Sequence, residues 1–457
     1  MLTDDDSDAA PFEKLQEAAS PAAFYNSAAR FDPPKCHPNT RLAVLNKIMQ
    51  WILGNEHKDE LIMWLYGSAG AGKSAIAQSI AEQCAMNRIL LASFFFSRTD
   101  TTRNHANSLF PTLAYQIAST YPEARGLIET VVEEDPLVFS RSIEVQLELL
   151  VMAPLRRIFE TAPTSDSLAL QRHLIIIDGL DECQDPALQC TILDAIARTS
   201  TQQRVPLIFL IASRPEQDIT MTLNQISTIS KDHEVVTRLA LDDSYGSSAD
   251  IKLFLRDKFK EIRKNHPLKQ QIPSLWPSDA IIKQLVAKSS GQFIYASTVV
   301  KYVKSIRHRP TDRLEKVLGI RSGHDLPFAE LDALYTQILS SVEDIELVYD
   351  IIILMMIPNT FEDTNDMETF LFLTPGDILL LLGDLSSIIS CPADYTKYRH
   401  NPYRRYPWHR LSFLHASLSD FLLDQARSKD LFINPGLRHA RLLDYCMRHL
   451  DIQGTRK

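Results

Sequence analysis

Gly67-Ser68-Ala69-Gly70-Ala71-Gly72-Lys73-Ser74 gathers three of the chain's 14 glycines, a lysine and a hydroxyl into one short run. Glycines at these spacings let a backbone wrap so that its N–H groups point inward at phosphate oxygens, the lysine neutralises β- and γ-phosphate charge, and the serine offers its hydroxyl to Mg²⁺. Ala75 continues the helix that opens at Lys73, whose positive end faces the same anion. A metal bound there needs a carboxylate from a second strand, and the apolar run Leu174-Ile175-Ile176-Ile177 ends in Asp178. Asp181 and Glu182 follow on the next loop. Glu182 is read as the base that orients water toward the γ-phosphate, and Asp181 as a second carboxylate for metal or water. A third apolar run, Leu207 to Ala212, leads into Ser213-Arg214, a cation placed to sense the γ-phosphate.

The elements that must position these groups read as strands at Leu61–Tyr66, Leu90–Phe96, Leu174–Ile177 and Leu207–Ala212, with helical stretches between them. Continuous apolar strands alternating with helices imply a buried parallel sheet. The expected fold is therefore α/β, a P-loop NTPase sheet with flanking helices. Beyond Ser244 the pattern is helical, with one hairpin expected between Ile388–Cys391 and Leu411–Leu414. The domains read as a flexible N-terminal arm over 1–38, the P-loop domain over 39–243 and a helical lid over 244–325. A winged-helix domain over 326–425 and a helical tail over 426–457 follow.

The 457 residues are 45% apolar and 23% charged, as expected of a folded chain of several domains. A net charge of -9 argues against general attraction to nucleic acid or anionic lipid. Met1–Ala10 is acidic and lacks the pattern of a secretory leader, and no apolar run reaches the length of a membrane span. Six cysteines without CxxC pairs suit a reducing compartment, so a cytoplasmic protein without a membrane anchor is expected.

With the loop, the run Asp178-Gly179-Leu180-Asp181-Glu182 and Ser213-Arg214-Pro215 in this order, the chain resembles the NACHT family of STAND ATPases, particularly its fungal and nephrocystin-like branch. The extra acidic pair after the strand is the most specific feature of the likeness. Ser93–Arg98, Gly291–Ala296 and Leu331–Tyr335 extend it, and Phe413–Leu422 resembles the winged-helix segment of the class. The resemblance implies an ATP/ADP switch with Mg²⁺, slow hydrolysis, and a homo-oligomer on activation that engages a protein partner. It assigns His415 to the β-phosphate of ADP in the resting form. Members usually carry an effector domain before this module and a repeat array after it, and neither is evident here.

Two other classes compete. A P-loop kinase or transferase would use the same loop, but Asp181-Glu182 speaks against it, and no guanine-reading [NT]KxD motif follows the loop, so adenine is favoured. A nucleic-acid binder is suggested by Tyr395–Arg410, which interleaves aromatics with arginines. The acidic chain favours a solvated hairpin loop there instead.

Overall fold

The computed structural model describes residues 10–30, 33–98, 100–161, 172–202, 205–229, 235–241, 246–319, 328–340, 342–357, 361, 363–385, 387–391, 393–394, 408–413, 415 and 417–454. The chain divides into two compact units, Met1–Tyr245 and Gly246–Lys457.

The first described element of the first unit is a helix, α1 (Pro11–Ala18), within the stretch read as a flexible arm. Proline at its first position fits the helix start. Leu15 is fully buried, Phe12 and Phe24 both stack on Tyr115, and Arg125 caps the Phe12 ring at 3.9 Å. These anchors are too widely spaced to form a period, so composition alone hides them. Next come α2 (Leu42–Ile52), β1 (Ile62–Tyr66), α3 (Lys73–Met86), β2 (Leu90–Phe95) and α4 (Leu109–Thr120). After a helical stretch that includes a π turn at Leu147–Met152, β3 (His173–Asp178), α5 (Pro186–Gln202), β4 (Leu207–Ser213), α6 (Gln217–Ile229) and β5 (Val236–Ala240) complete the unit.

All five strands run parallel in the order β2-β3-β4-β1-β5. Every residue of β3 and β4 is buried, which explains their unbroken apolar runs: the sheet is covered on both faces. Each buried isoleucine there contributes about 1.5–3 kcal/mol. On one face Ile76, Ile80 and Cys84 of α3, spaced four apart, pack against Leu174, Ile176, Ile208 and Leu210. The edge strand β5 was missed because it is short and alternates, with Arg238 facing solvent.

This topology decides where the chemistry collects. Parallel strands place their carboxyl ends on one side, and β4 lies between β1 and β3. The loops after Tyr66, Asp178 and Ser213 therefore emerge side by side.

The second unit is helical around its own core. Asp344 and Asp363 cap helices Ile345–Met356 and Thr364–Phe370 by accepting from Leu347 N–H and Asp366 N–H. Tyr335 packs on Phe421 within this core, and Arg427 forks onto Asp332 at 2.7 and 3.1 Å. The hairpin forms: Ile389↔Phe413 and Ala393↔His409 pair antiparallel in a common register. Most of the aromatic and basic loop singled out in Tyr395–Arg410 lies outside the described residues. Among the described residues no helix is long and apolar enough to cross a membrane.

Candidate nucleotide site

The loop between β1 and α3 owes its shape to its glycines, of which Gly72 and Gly67 show why. Gly72 takes φ 97° at the head of α3, a conformation that strains any L side chain. Gly67 lies so close to Leu241 that a β-carbon would stand 3.1 Å from its Cβ and 3.2 Å from its carbonyl oxygen. Lys73 folds back over the loop, its Nζ donating to Gly67 O (2.8 Å) and Ser68 O (3.0 Å). The ammonium thus occupies the loop's own carbonyls. Burial pushes its pKa down, while the fields of Asp181 and Asp178 oppose the shift. A residue outside the motif also braces the loop: Arg41, at the head of α2, donates to Ala71 O at 2.8 Å.

Asp178 ends β3 with 3% of its surface exposed. Its Oδ1 is buried and makes no hydrogen bond. Burial pushes its carboxyl up to about 6, against the Ser74 hydroxyl and the charges of Arg30 and Lys73, which hold it down. A buried acceptor beside a serine hydroxyl is a natural seat for a hard cation. Among the described residues no cluster of three or more His, Cys, Asp or Glu could hold a metal by itself.

The two carboxylates after β3 have different surroundings. Asp181, 5% exposed, is bound on both oxygens by Arg214: backbone N–H to Oδ1 at 2.9 Å and Nε to Oδ2 at 3.2 Å. Both of its oxygens are thus engaged by the arginine at the end of β4. Glu182 accepts from Arg98 N–H at 3.1 Å, and burial together with the neighbouring Asp181 charge pushes its carboxyl up to about 7. A carboxyl poised there can take a proton near neutrality. Ser68, Ala69, Gly70 and Ala75 lie in the loop and the first turn of α3, so the sheet brings together every expected residue of the first unit.

His415 belongs to the second unit. Its Nδ1 accepts from Ser417 N–H (3.0 Å) and pairs with Ser417 Oγ (2.8 Å), which in turn pairs with the buried Tyr335 hydroxyl at 2.8 Å. The Leu331–Tyr335 and Phe413–Leu422 segments thus meet in one hydrogen-bonded chain.

Three participants were not read as site residues. Arg98 lies within the Ser93–Arg98 run that carries part of the resemblance, so a signal for it existed. Arg30 stacks on Phe95 at 3.7 Å and comes from the segment read as an arm, where nothing marked it. Arg41 had no signal beyond its place just before a helix.

The model of the family described as nephrocystin 3, N-terminal, matches residues 42–214, less than half of the chain. A search of curated proteins finds no match. Among solved structures, the Walker-type ATPase PABY2304 of Pyrococcus abyssi is similar at 13% identity. That match covers 85% of this chain and 97% of that one, with a TM-score of 0.39. The Aeropyrum pernix ORC2 protein in its ADPNP–ADP complexes is similar at 11%, covering 79% and 89%, with a TM-score of 0.38. Cdc6p from Pyrobaculum aerophilum is similar at 12%, covering 80% and 91%, with a TM-score of 0.39. With such low identities and every score below 0.5, the functions of those proteins do not transfer.

Proposed function

We propose that this P-loop NTPase fold binds ATP and ADP with Mg²⁺ and serves as the nucleotide switch of a NACHT-type STAND protein. The observation that carries the nucleotide reading is the convergence of Lys73, Ser74, Asp178, Glu182 and Arg214 at the carboxyl ends of adjacent strands. In this reading Gly67 to Ala75 cradle the phosphates, and Lys73 leaves its loop carbonyls for phosphate oxygens. Ser74 and Asp178 hold Mg²⁺, whose charge would screen the γ-phosphate. Glu182 takes the proton of the attacking water, and Arg214, aimed by Asp181, reports the γ-phosphate.

The switch itself rests on the resemblance. Nucleotide moves an equilibrium only if it binds two arrangements with different affinity. Arg214 on the γ-phosphate would favour the ATP form, and His415 on the β-phosphate the resting ADP form. Residues 326–425, with their hairpin, are read as the winged helix that carries His415. Exchange to ATP would free that domain, let protomers assemble into a homo-oligomer and engage a protein partner in the cytoplasm.

The test is to purify the protein without added nucleotide, denature it and identify what is released, with Lys73→Ala as control. ADP from the wild type alone supports the switch. An empty wild-type site with fast ATP turnover points to a constitutive ATPase or a transferase, and the role given to His415 is then withdrawn.

A further inference from the structure

Arg30 makes no ion pair among the described residues, although it is one of the more enclosed cations of the first unit. Its Nη1 donates to Phe24 O (3.3 Å), Tyr25 O (3.4 Å) and Gln78 Oε1 (2.9 Å), and its guanidinium lies 3.7 Å from the centre of the Phe95 ring. Both side-chain neighbours border the metal seat. Gln78 is one turn along α3 from Ser74, on the same side of the helix. Phe95 is the residue of β2 paired with Asp178. Arg30 therefore flanks Ser74 and Asp178 from both elements that carry or border them. Its field on Asp178 outranks that of Lys73. Burial and the nearby Arg103 lower its own pKa to about 10, so it stays charged at neutral pH.

We propose that Arg30 is the standing counter-charge of Asp178, and that the 10–30 segment is thereby coupled to divalent-cation occupancy of the nucleotide site. The inference rests on the Mg²⁺–nucleotide reading above. A dication arriving between Ser74 and Asp178 takes over the neutralisation of the carboxylate and repels the guanidinium beside it. Cation binding and docking of the segment then oppose each other, and the coupling is reciprocal: a cation at the site loosens the segment, and loss of the Arg30 charge tightens the cation.

The experiment uses the full chain, with ADP and MgCl₂ as probes. ADP affinity is measured with and without Mg²⁺, and hydrogen exchange of residues 10–30 is followed in the same samples. In the wild type, Mg²⁺ added to the ADP complex speeds exchange across the segment, whereas ADP alone does not. Arg30→Gln raises the Mg²⁺ enhancement of ADP affinity at least tenfold, because at an effective dielectric near 20 a unit charge within about 10 Å of a dication opposes it by more than that factor. Arg30→Lys keeps the charge and stays near the wild type. Arg125→Gln, which removes the cation from the Phe12 ring far along the segment, speeds exchange of α1 but leaves the enhancement unchanged. The inference is overturned if Arg30→Gln shows the wild-type enhancement, or if exchange of residues 10–30 ignores Mg²⁺. A wild type that binds no ADP overturns the nucleotide reading, and this inference with it.

Discussion

Replacing Asp178 with asparagine keeps the shape of the side chain and removes a charge whose burial nothing in the protein fully repays. Its carboxyl is pushed from 3.8 to about 6, a shift worth about 3 kcal/mol at ~1.36 kcal/mol per pH unit. Because the folded-state value lies above the unfolded one, the folded protein holds more protons in the interval. The stability at stake is fully present below pH 3.8 and is lost as pH rises through about 6. Wild type should therefore lose stability across this window, and Asp178→Asn should lose less. The advantage of the variant, in the absence of nucleotide and metal, should grow by about 2 kcal/mol between pH 4 and pH 7. For a unit of this size that is roughly 4–8 °C in the melting temperature of the first transition. Asparagine leaves any unmade hydrogen bond that the protonated acid also leaves, so the constant offset between the proteins is unimportant and the pH trend is the readout. Thermal melts of both proteins across the range give it. A difference in melting temperature that stays level from pH 4 to pH 7 would refute the assignment of Asp178 as a buried, under-compensated carboxylate. Adding Mg²⁺ with ADP should reverse the order at pH 7, because only the wild type can use the cation.

Glu182→Gln should slow ATP hydrolysis by about 10²–10⁴-fold while ADP affinity stays within a few-fold, measured by single turnover and calorimetry. With its carboxyl near 7, the hydrolysis rate of the wild type should rise with pH through about 7 and then level. Gly67→Ala drives a methyl group into Leu241, so the loop must shift; a loss of about 1–3 kcal/mol in ADP affinity is expected, and unaltered binding would show that the loop has slack. Asp332→Ala breaks the fork with Arg427 and leaves a partly buried cation. The second unit should lose about 1.5–3 kcal/mol in denaturant titration, with the first unit unaffected.

The chemistry was legible where function forces several rare residues into a fixed spacing. Gly67–Ser74 could be read residue by residue, and Asp178 followed because a strand covered on both faces must be apolar up to the point where it opens onto the site. What the sequence could not show was pairing across long separations. That Asp181 serves Arg214 depends on β4 lying next to β3, a matter of sheet order, which the one-dimensional pattern does not encode. Arg30 is hidden for a similar reason. Its segment holds on through a few aromatic and aliphatic anchors, Phe12, Leu15 and Phe24, that form no period, and composition rich in Ala, Asp and Pro reads as an arm. Strand β5, at the sheet edge, falls below the threshold at which alternation is persuasive.

Trp64 offers a way to watch the site without labels. It is 1% exposed, stacks on Tyr66 at 4.3 Å one residue before the phosphate loop, and donates from Nε1 to Ser213 Oγ at 2.8 Å one residue before Arg214. The indole is tied to the roots of both loops, so a change in their spacing alters its hydrogen bond and its ring neighbour together. The chain has four tryptophans, and Trp51, fully buried, is held at Glu60 O away from these loops. Replacing the others with phenylalanine would turn the intrinsic emission of Trp64 into a stopped-flow record of nucleotide arriving and leaving.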